Sequence, residues 1–112
     1  MEKRIKIGDK EILFKSTGST AIRYRAMFND DLVERMMSIS KSAVNGEEIS
    51  GDNLEALEKA AYVMAKQGGD DAPSFEEWLD NFEMFEIIEA LPEVMELWGL
   101  NMVTTSKPRK KK

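Results

Sequence analysis

Apolar residues recur at helical spacing along most of the chain, and this periodicity restricts it to a mostly α-helical fold. The i, i+3, i+4, i+7 pattern of an amphipathic helix begins near Ala21, Leu32, Leu54 and Phe75. In the first segment, Ile22 and Ala26 share the apolar face. Asp31 and Glu34 have capping-box spacing before the second segment, and Gly68 favours an end to the third. We therefore predict a bundle of four or five helices.

The fourth segment has the clearest start signal. Ser74 follows Pro73 and lies three residues before Glu77, which is the spacing of a capping box. We predict one helix of at least four turns from this point. Pro92 should break or kink that helix, because proline lacks an amide donor and clashes with the preceding turn. A short helix from Pro92 to about Gly99 would follow.

Residues 4–15 are predicted to form a β-hairpin ahead of the helices. Ile5 and Ile7 alternate with charged residues, which is the period-2 pattern of a half-buried strand. Gly8 opens a turn signal, and a second apolar run follows at residues 12–14. Because two strands alone are marginally stable, the hairpin must lie on the helices or pair with another strand edge. It is therefore a candidate contact for self-association.

Length and hydropathy indicate a single helical domain with no membrane partner. The chain has 112 residues, the size of one ordinary domain. We assign residues 1–102 to this domain and residues 103–112 to a flexible, disordered basic tail. No run of about 18 apolar residues occurs that could span a membrane. The first residues lack the apolar core of a signal peptide, so a cytoplasmic location is expected.

The chain contains no cysteine and no histidine. Thiolate nucleophiles and zinc–thiolate sites are therefore excluded, and the commonest general base is missing. Residues 70–96 hold ten acids and no lysine or arginine. These acids lack the spacing of a calcium-binding loop, and a solvated helix face does not raise a carboxyl pKa as burial does. We predict that the protein is not an enzyme and has no metal or cofactor.

The charge is divided unevenly along the chain. The net charge is −5, and the last six residues carry five positive charges, so that residues 1–106 carry −10. Nucleic-acid binding needs a basic face on the folded part of a protein. We therefore expect no specific nucleic-acid partner.

Large apolar side chains at helical spacing suggest a surface for another protein. The aromatic stripe of the fourth segment and the methionines of the second could repack around varied apolar partners. The same residues could instead form the core, and that alternative stays open here. The candidate partner-binding residues are Trp78, Leu79, Phe82, Phe85, Met36 and Met37.

Three stretches and the chain ending resemble a known family. Residues 5–12 (IKIGDKEI) look like the hairpin that opens many tail assembly chaperones of siphophages and prophages of Gram-positive bacteria. Residues 21–32 (AIRYRAMFNDDL) are similar to that family's helix with a Tyr-Arg pair, a Phe and an Asn-type turn. Residues 74–82 (SFEEWLDNF) are similar to its late helix with a Trp-Leu pair, and residues 97–101 (LWGLN) before a Lys-rich end also fit. The resemblance spans nearly the whole chain.

The resemblance implies a role in virion assembly. Such chaperones bind the tape measure protein, a long and mostly helical chain that sets tail length, and keep it soluble until the tail tube closes around it. The chain would be the short form of the chaperone, and a longer form is often made by ribosomal frameshifting. It would act in the cytoplasm of the bacterial host and would be absent from the mature virion.

Two other interpretations remain open from the sequence. A body charge of −10 is compatible with an acidic inhibitor that mimics nucleic acid, whose binding to a basic partner would depend strongly on salt. Another phage structural protein, such as a head–tail connector, is the other alternative. A connector would be found in purified particles, whereas a chaperone would leave.

Overall fold

The structure, a computed structural model, describes residues 1–98. An antiparallel hairpin of β1 (Glu2–Ile7) and β2 (Lys10–Lys15) precedes five helices. The helices are α1 (Thr20–Phe28), α2 (Leu32–Val44), α3 (Gly51–Gln67), α4 (Phe75–Leu79) and α5 (Met84–Trp98). The predicted mostly helical fold with an amino-terminal hairpin is confirmed. The predicted basic tail, residues 103–112, and the predicted end of the domain at residue 102 lie outside the described residues.

The hairpin lies on the helices through one face. Ile5 pairs with Ile12 across the two strands, and Ile5, Ile7 and Phe14 are buried. Strand β1 packs against α5 and strand β2 against α3. Gly8 adopts a φ of +64°, which glycine tolerates at the turn because it has no Cβ. The hairpin begins two residues earlier than predicted from the sequence.

Helix α3 is the centre of the fold. It packs against β2, α1, α2, α4 and α5. Small side chains allow this close approach from several sides, since Ala56, Ala60, Ala61 and Ala65 are all buried. Its amino-terminal cap is Ser50, whose hydroxyl accepts a 3.1 Å bond from the amide of Asn53.

Two of the predicted helix starts are confirmed by their caps. The Asp31 carboxylate accepts a 3.1 Å bond from the Glu34 amide at the start of α2. The Ser74 hydroxyl accepts a 3.1 Å bond from the Glu77 amide at the start of α4. Each cap supplies a partner for an amide that the helix itself leaves free.

The predicted apolar face of α1 is wrong. Ile22 is 70 % exposed, and Ala26 is also exposed. The inward face is instead formed by Thr20 and Tyr24, with Phe28 half-buried one turn later. Polar bonds decide this orientation, because the Thr20 hydroxyl donates to Gln67 of α3 at 2.8 Å and is satisfied inside the fold.

The predicted long helix after Ser74 is also wrong. Helix α4 ends at Leu79, a turn follows, and α5 then runs through Pro92 without ending there. The apolar positions of α5 continue past the proline, with Ile87, Leu91 and Val94 all buried. Pro92 itself is exposed on the outer side. Packing on both sides of Pro92 holds the helix together despite the missing hydrogen bond.

None of the helices within residues 1–98 is both long and apolar enough to cross a membrane.

Candidate partner-binding surfaces

Trp78 is a core residue. Its side chain is fully buried, and its ring packs on Tyr62 and Phe82 with centroid distances of 5.7 and 5.3 Å. The indole Nε1 donates a 3.2 Å bond to Asp70, which ties the loop before α4 to the core. Trp78 was predicted as a partner contact, and its burial removes it from the free surface.

The start of α5 exposes large apolar side chains. Met84 is 67 % exposed and Phe85 is 72 % exposed. Leu79 and Phe82 are half-buried and pack against the core. We call these four residues, Leu79, Phe82, Met84 and Phe85, the junction surface. Phe85 was predicted as a contact because it was assigned to one aromatic stripe, but the structure exposes it because the helix breaks before it.

Carboxylates flank the residues of the junction surface along the chain. Asp80, Glu83 and Glu89 are exposed. Glu86 is half-buried, and its carboxylate accepts a 3.0 Å bond from the Glu83 amide at the start of α5. The same carboxylate lies against Gly8, so the hairpin turn abuts the start of α5. The junction surface is therefore an apolar patch in a negatively charged setting.

A second apolar surface lies on the outer side of α2. Val33, Met37 and Val44 are 53, 68 and 62 % exposed. Together with Met36, Ser40 and Lys41 they line a shallow groove along the helix, which we call the α2 groove. Met36 is half-buried, so the groove reaches from the solvent side towards the core. Both methionines that were predicted as partner contacts therefore line one groove.

The six predicted contact residues do not form one site. Trp78 is in the core, Leu79, Phe82 and Phe85 belong to the junction surface, and Met36 and Met37 line the α2 groove. Helix α2 packs against α1 and α3, whereas α5 packs against β1 and α3. Met84, Val33 and Val44 were not predicted as surface residues from the sequence. Val33 lies four residues before Met37 and Val44 seven residues after it, and this helical spacing is the signal that could have placed both beside Met37.

A polar network fixes α2 to its neighbours. The Tyr24 hydroxyl donates a 2.7 Å bond to the carboxylate of Asp30, which also accepts a 3.0 Å bond from Arg35. Arg35 donates a 3.3 Å bond to Asn53 of α3, and Asn53 donates a 3.1 Å bond to Ser38. Burial, and then the bond to Asp30, raise the pKa of Tyr24 well above its usual range. The bond from Tyr24, and then that from Arg35, lower the pKa of Asp30.

The hairpin presents charged side chains on its outer side. Arg4, Lys6 and Lys15 are exposed. Lys3 forms ion pairs with two acids of α5, at 3.3 Å from Glu93 and 4.0 Å from Glu96. The apolar face of the hairpin is used inside the fold, and a second copy of the chain would meet its charges or its strand edges.

Among residues 1–98, no group of three or more acidic side chains is placed to hold a metal ion. No protein-family model, curated protein or solved structure matches the chain. The two exposed apolar surfaces and the resemblance in the sequence are therefore the grounds for a functional proposal.

Proposed function

We propose that the chain is a tail assembly chaperone of a long-tailed bacteriophage and that it binds the tape measure protein through the junction surface. The observation that carries this proposal is the exposure of Phe85 and Met84, at 72 and 67 %, in adjacent positions at the start of α5. Large apolar side chains exposed together mark sites of interaction more often than isolated ones do. The family resemblance supplies the identity of the client.

The chemistry of the junction surface suits a helical apolar client. Covering an exposed phenylalanine in a complex removes enough apolar area from water to contribute on the order of 3 kcal/mol. Met84 adds an unbranched, polarizable side chain that adapts to different apolar partners. Phe82, also part of the junction surface, packs on Trp78 and so connects this surface to the core. A client that presents apolar helix faces of varying sequence would bind here with modest affinity at each segment.

The negative charge around the junction surface supports the same proposal. Asp80, Glu83 and Glu89 would stay in solvent at the rim of a complex and oppose association between complexes. Apolar contacts would supply the affinity, and the acids would supply solubility. Several chaperones along one client would bind tightly through avidity although each contact is weak. The chaperone acts in the host cytoplasm and leaves before the virion is complete.

Co-expression with the tape measure protein of the same genome tests the proposal. The client is expressed alone and together with the chaperone, and the soluble fraction is then captured at low and at moderate salt. We expect a soluble complex at both salt concentrations and an insoluble client in the absence of the chaperone. Failure to form the complex would refute the proposal.

Salt dependence separates the chaperone from the acidic inhibitor. A nucleic-acid mimic binds its partner mainly through charge, so its complex would be lost at moderate salt. Detection of the chain in purified particles would instead favour a structural subunit of the virion. The proposed chaperone is expected in the assembly lysate and not in the particles.

A further inference from the structure

The α2 groove lies between two rows of side chains on one helix. Val33, Met37 and Lys41 form one row at i, i+4, i+8 spacing, and Met36, Ser40 and Val44 form the other. Rows of this spacing are the ridges that pack into the groove of a neighbouring helix. A groove between two such rows on the outer side of a helix therefore has the shape that receives another helix.

The charges beside the groove are complementary to those of a second α2 helix that runs antiparallel to the first. Glu34 lies near the start of α2 and Lys41 near its end, and both are exposed. Seven residues separate them, so they lie within about 20° of each other around the helix, on the same flank of the groove. Among the ion pairs of residues 1–98, neither side chain has a partner.

An antiparallel second copy of α2 brings the opposite charges of the two copies together. Glu34 and Lys41 are about 10 Å apart along the axis. A two-fold axis that passes beside α2, perpendicular to it and level with the midpoint between these residues, places Glu34 of one copy level with Lys41 of the other. Val33 of one copy then lies within about 3 Å of Val44 of the other, measured along the helix axis, and Met37 lies equally close to Ser40. Such an axis keeps the charged flank of both copies on the same side, so two Glu34–Lys41 pairs form together.

We propose that the α2 groove is the contact of a symmetric dimer, in which α2 of a second copy packs antiparallel and the two Glu34–Lys41 pairs set the register. This is an isologous interface, because one surface meets itself. The apolar side chains supply most of the affinity, since exposed ion pairs contribute little and chiefly select the partner. One helix on each side makes a small interface, so the dimer is weak and exchanges readily.

The dimer leaves the junction surface free. Helix α5 packs on β1 and α3, whereas α2 packs on α1 and α3, and no residue of the junction surface lines the α2 groove. If the proposed function holds, each dimer presents two junction surfaces to one long client, which raises the effective concentration of the second contact. The dimer itself does not depend on that function, and its test uses no client.

Sedimentation equilibrium of the full-length chain over a range of concentrations tests the dimer. We expect Glu34→Lys and Lys41→Glu each to weaken self-association about tenfold, because each change turns two attractions into two repulsions. The double variant should recover the wild-type behaviour. An equimolar mixture of the two single variants should form a heterodimer, since each pair across the contact then again joins one carboxylate to one ammonium group. Glu89→Lys, an exposed charge reversal on α5, is the matched control and should not change self-association.

Three results would overturn the proposal. The wild type could remain monomeric at every concentration. Both single variants could associate as the wild type does, which would place the contact elsewhere, for example on the hairpin. The mixture could fail to associate although circular dichroism shows that both single variants are folded.

Discussion

The Tyr24 hydroxyl donates a 2.7 Å hydrogen bond to the Asp30 carboxylate, which lies in the turn between α1 and α2. Asp30 also accepts a 3.0 Å bond from Arg35 one turn into α2. Tyr24 is fully buried, so its hydroxyl would have no water to replace this partner. The bond therefore ties α1 to the turn that leads into α2.

Replacement of Tyr24 by phenylalanine should lower the free energy of unfolding by about 1–2 kcal/mol. The ring would still pack on Phe28, whose centroid lies 5.4 Å away, but Asp30 would lose one of its two side-chain donors. Urea unfolding followed by circular dichroism measures the change. An unchanged midpoint would show that the hydrogen bond does not contribute to stability.

The same pair predicts a pH dependence. The pKa of Asp30 is lowered in the folded state, so its bonds stabilise the protein above the ordinary aspartate value of 3.8. That contribution is lost as the pH falls through the lower pKa of the folded state. The difference in unfolding free energy between wild type and Tyr24→Phe should therefore be largest near neutral pH and shrink in acid. Urea unfolding at a series of pH values checks this, and a constant difference would contradict it.

The helices and hairpin were predictable where local chemistry decides them. Asp31 with Glu34, and Ser74 with Glu77, identify helix starts because a side chain there pairs with an amide of the first turn. The face of α1 was not predictable, because Ile22 is more apolar than Thr20 and yet is exposed. Thr20 is turned inward by its partner Gln67, which lies 47 residues away in the sequence. No local pattern contains that contact.

Helix α5 shows how packing can outweigh a local rule. Pro92 has no amide to donate, so the helix loses one internal bond at this point. Pro92→Ala restores the donor at an exposed position, and we expect it to raise the free energy of unfolding by about 1 kcal/mol or more. Thermal unfolding measures the effect. A loss of stability would mean that Pro92 is required for the shape of α5.

At the end of α3, close contact with β2 requires a glycine, whereas the backbone conformation there does not. Gly68 has an ordinary φ of −82°, but an added Cβ would overlap the main-chain carbonyl of Leu13 in β2. We expect Gly68→Ala to cost about 2 kcal/mol or more of stability. Gly69→Ala is the comparison, because Gly69 has open space but a φ of +112°, and its cost should be nearer 1 kcal/mol. Chemical unfolding measures the loss of stability in both variants. A larger loss for Gly69→Ala than for Gly68→Ala would contradict the close approach of α3 to β2.

The candidate surfaces were only partly predictable from the sequence. Met36 and Met37 were identified as adaptable apolar residues, and the structure places them together. Trp78 and Phe85 were assigned to one stripe, but the turn after Leu79 rotates the following residues, so that one is buried and the other exposed. The spacing of the acidic residues around that turn, such as Asp80 and Glu83, is also compatible with an unbroken helix. Helical periodicity alone could not locate the break.

The most direct test of the proposed function is Phe85→Ser in the co-expression experiment with the tape measure protein. Ile22→Ser is the matched control, because Ile22 is 70 % exposed on α1 and lies outside the junction surface. Both substitutions replace an exposed side chain, so both variants should fold as the wild type does. We predict that Phe85→Ser loses the soluble complex at moderate salt while Ile22→Ser retains it. A complex retained equally by both variants would contradict the assignment of the junction surface as the client-binding site.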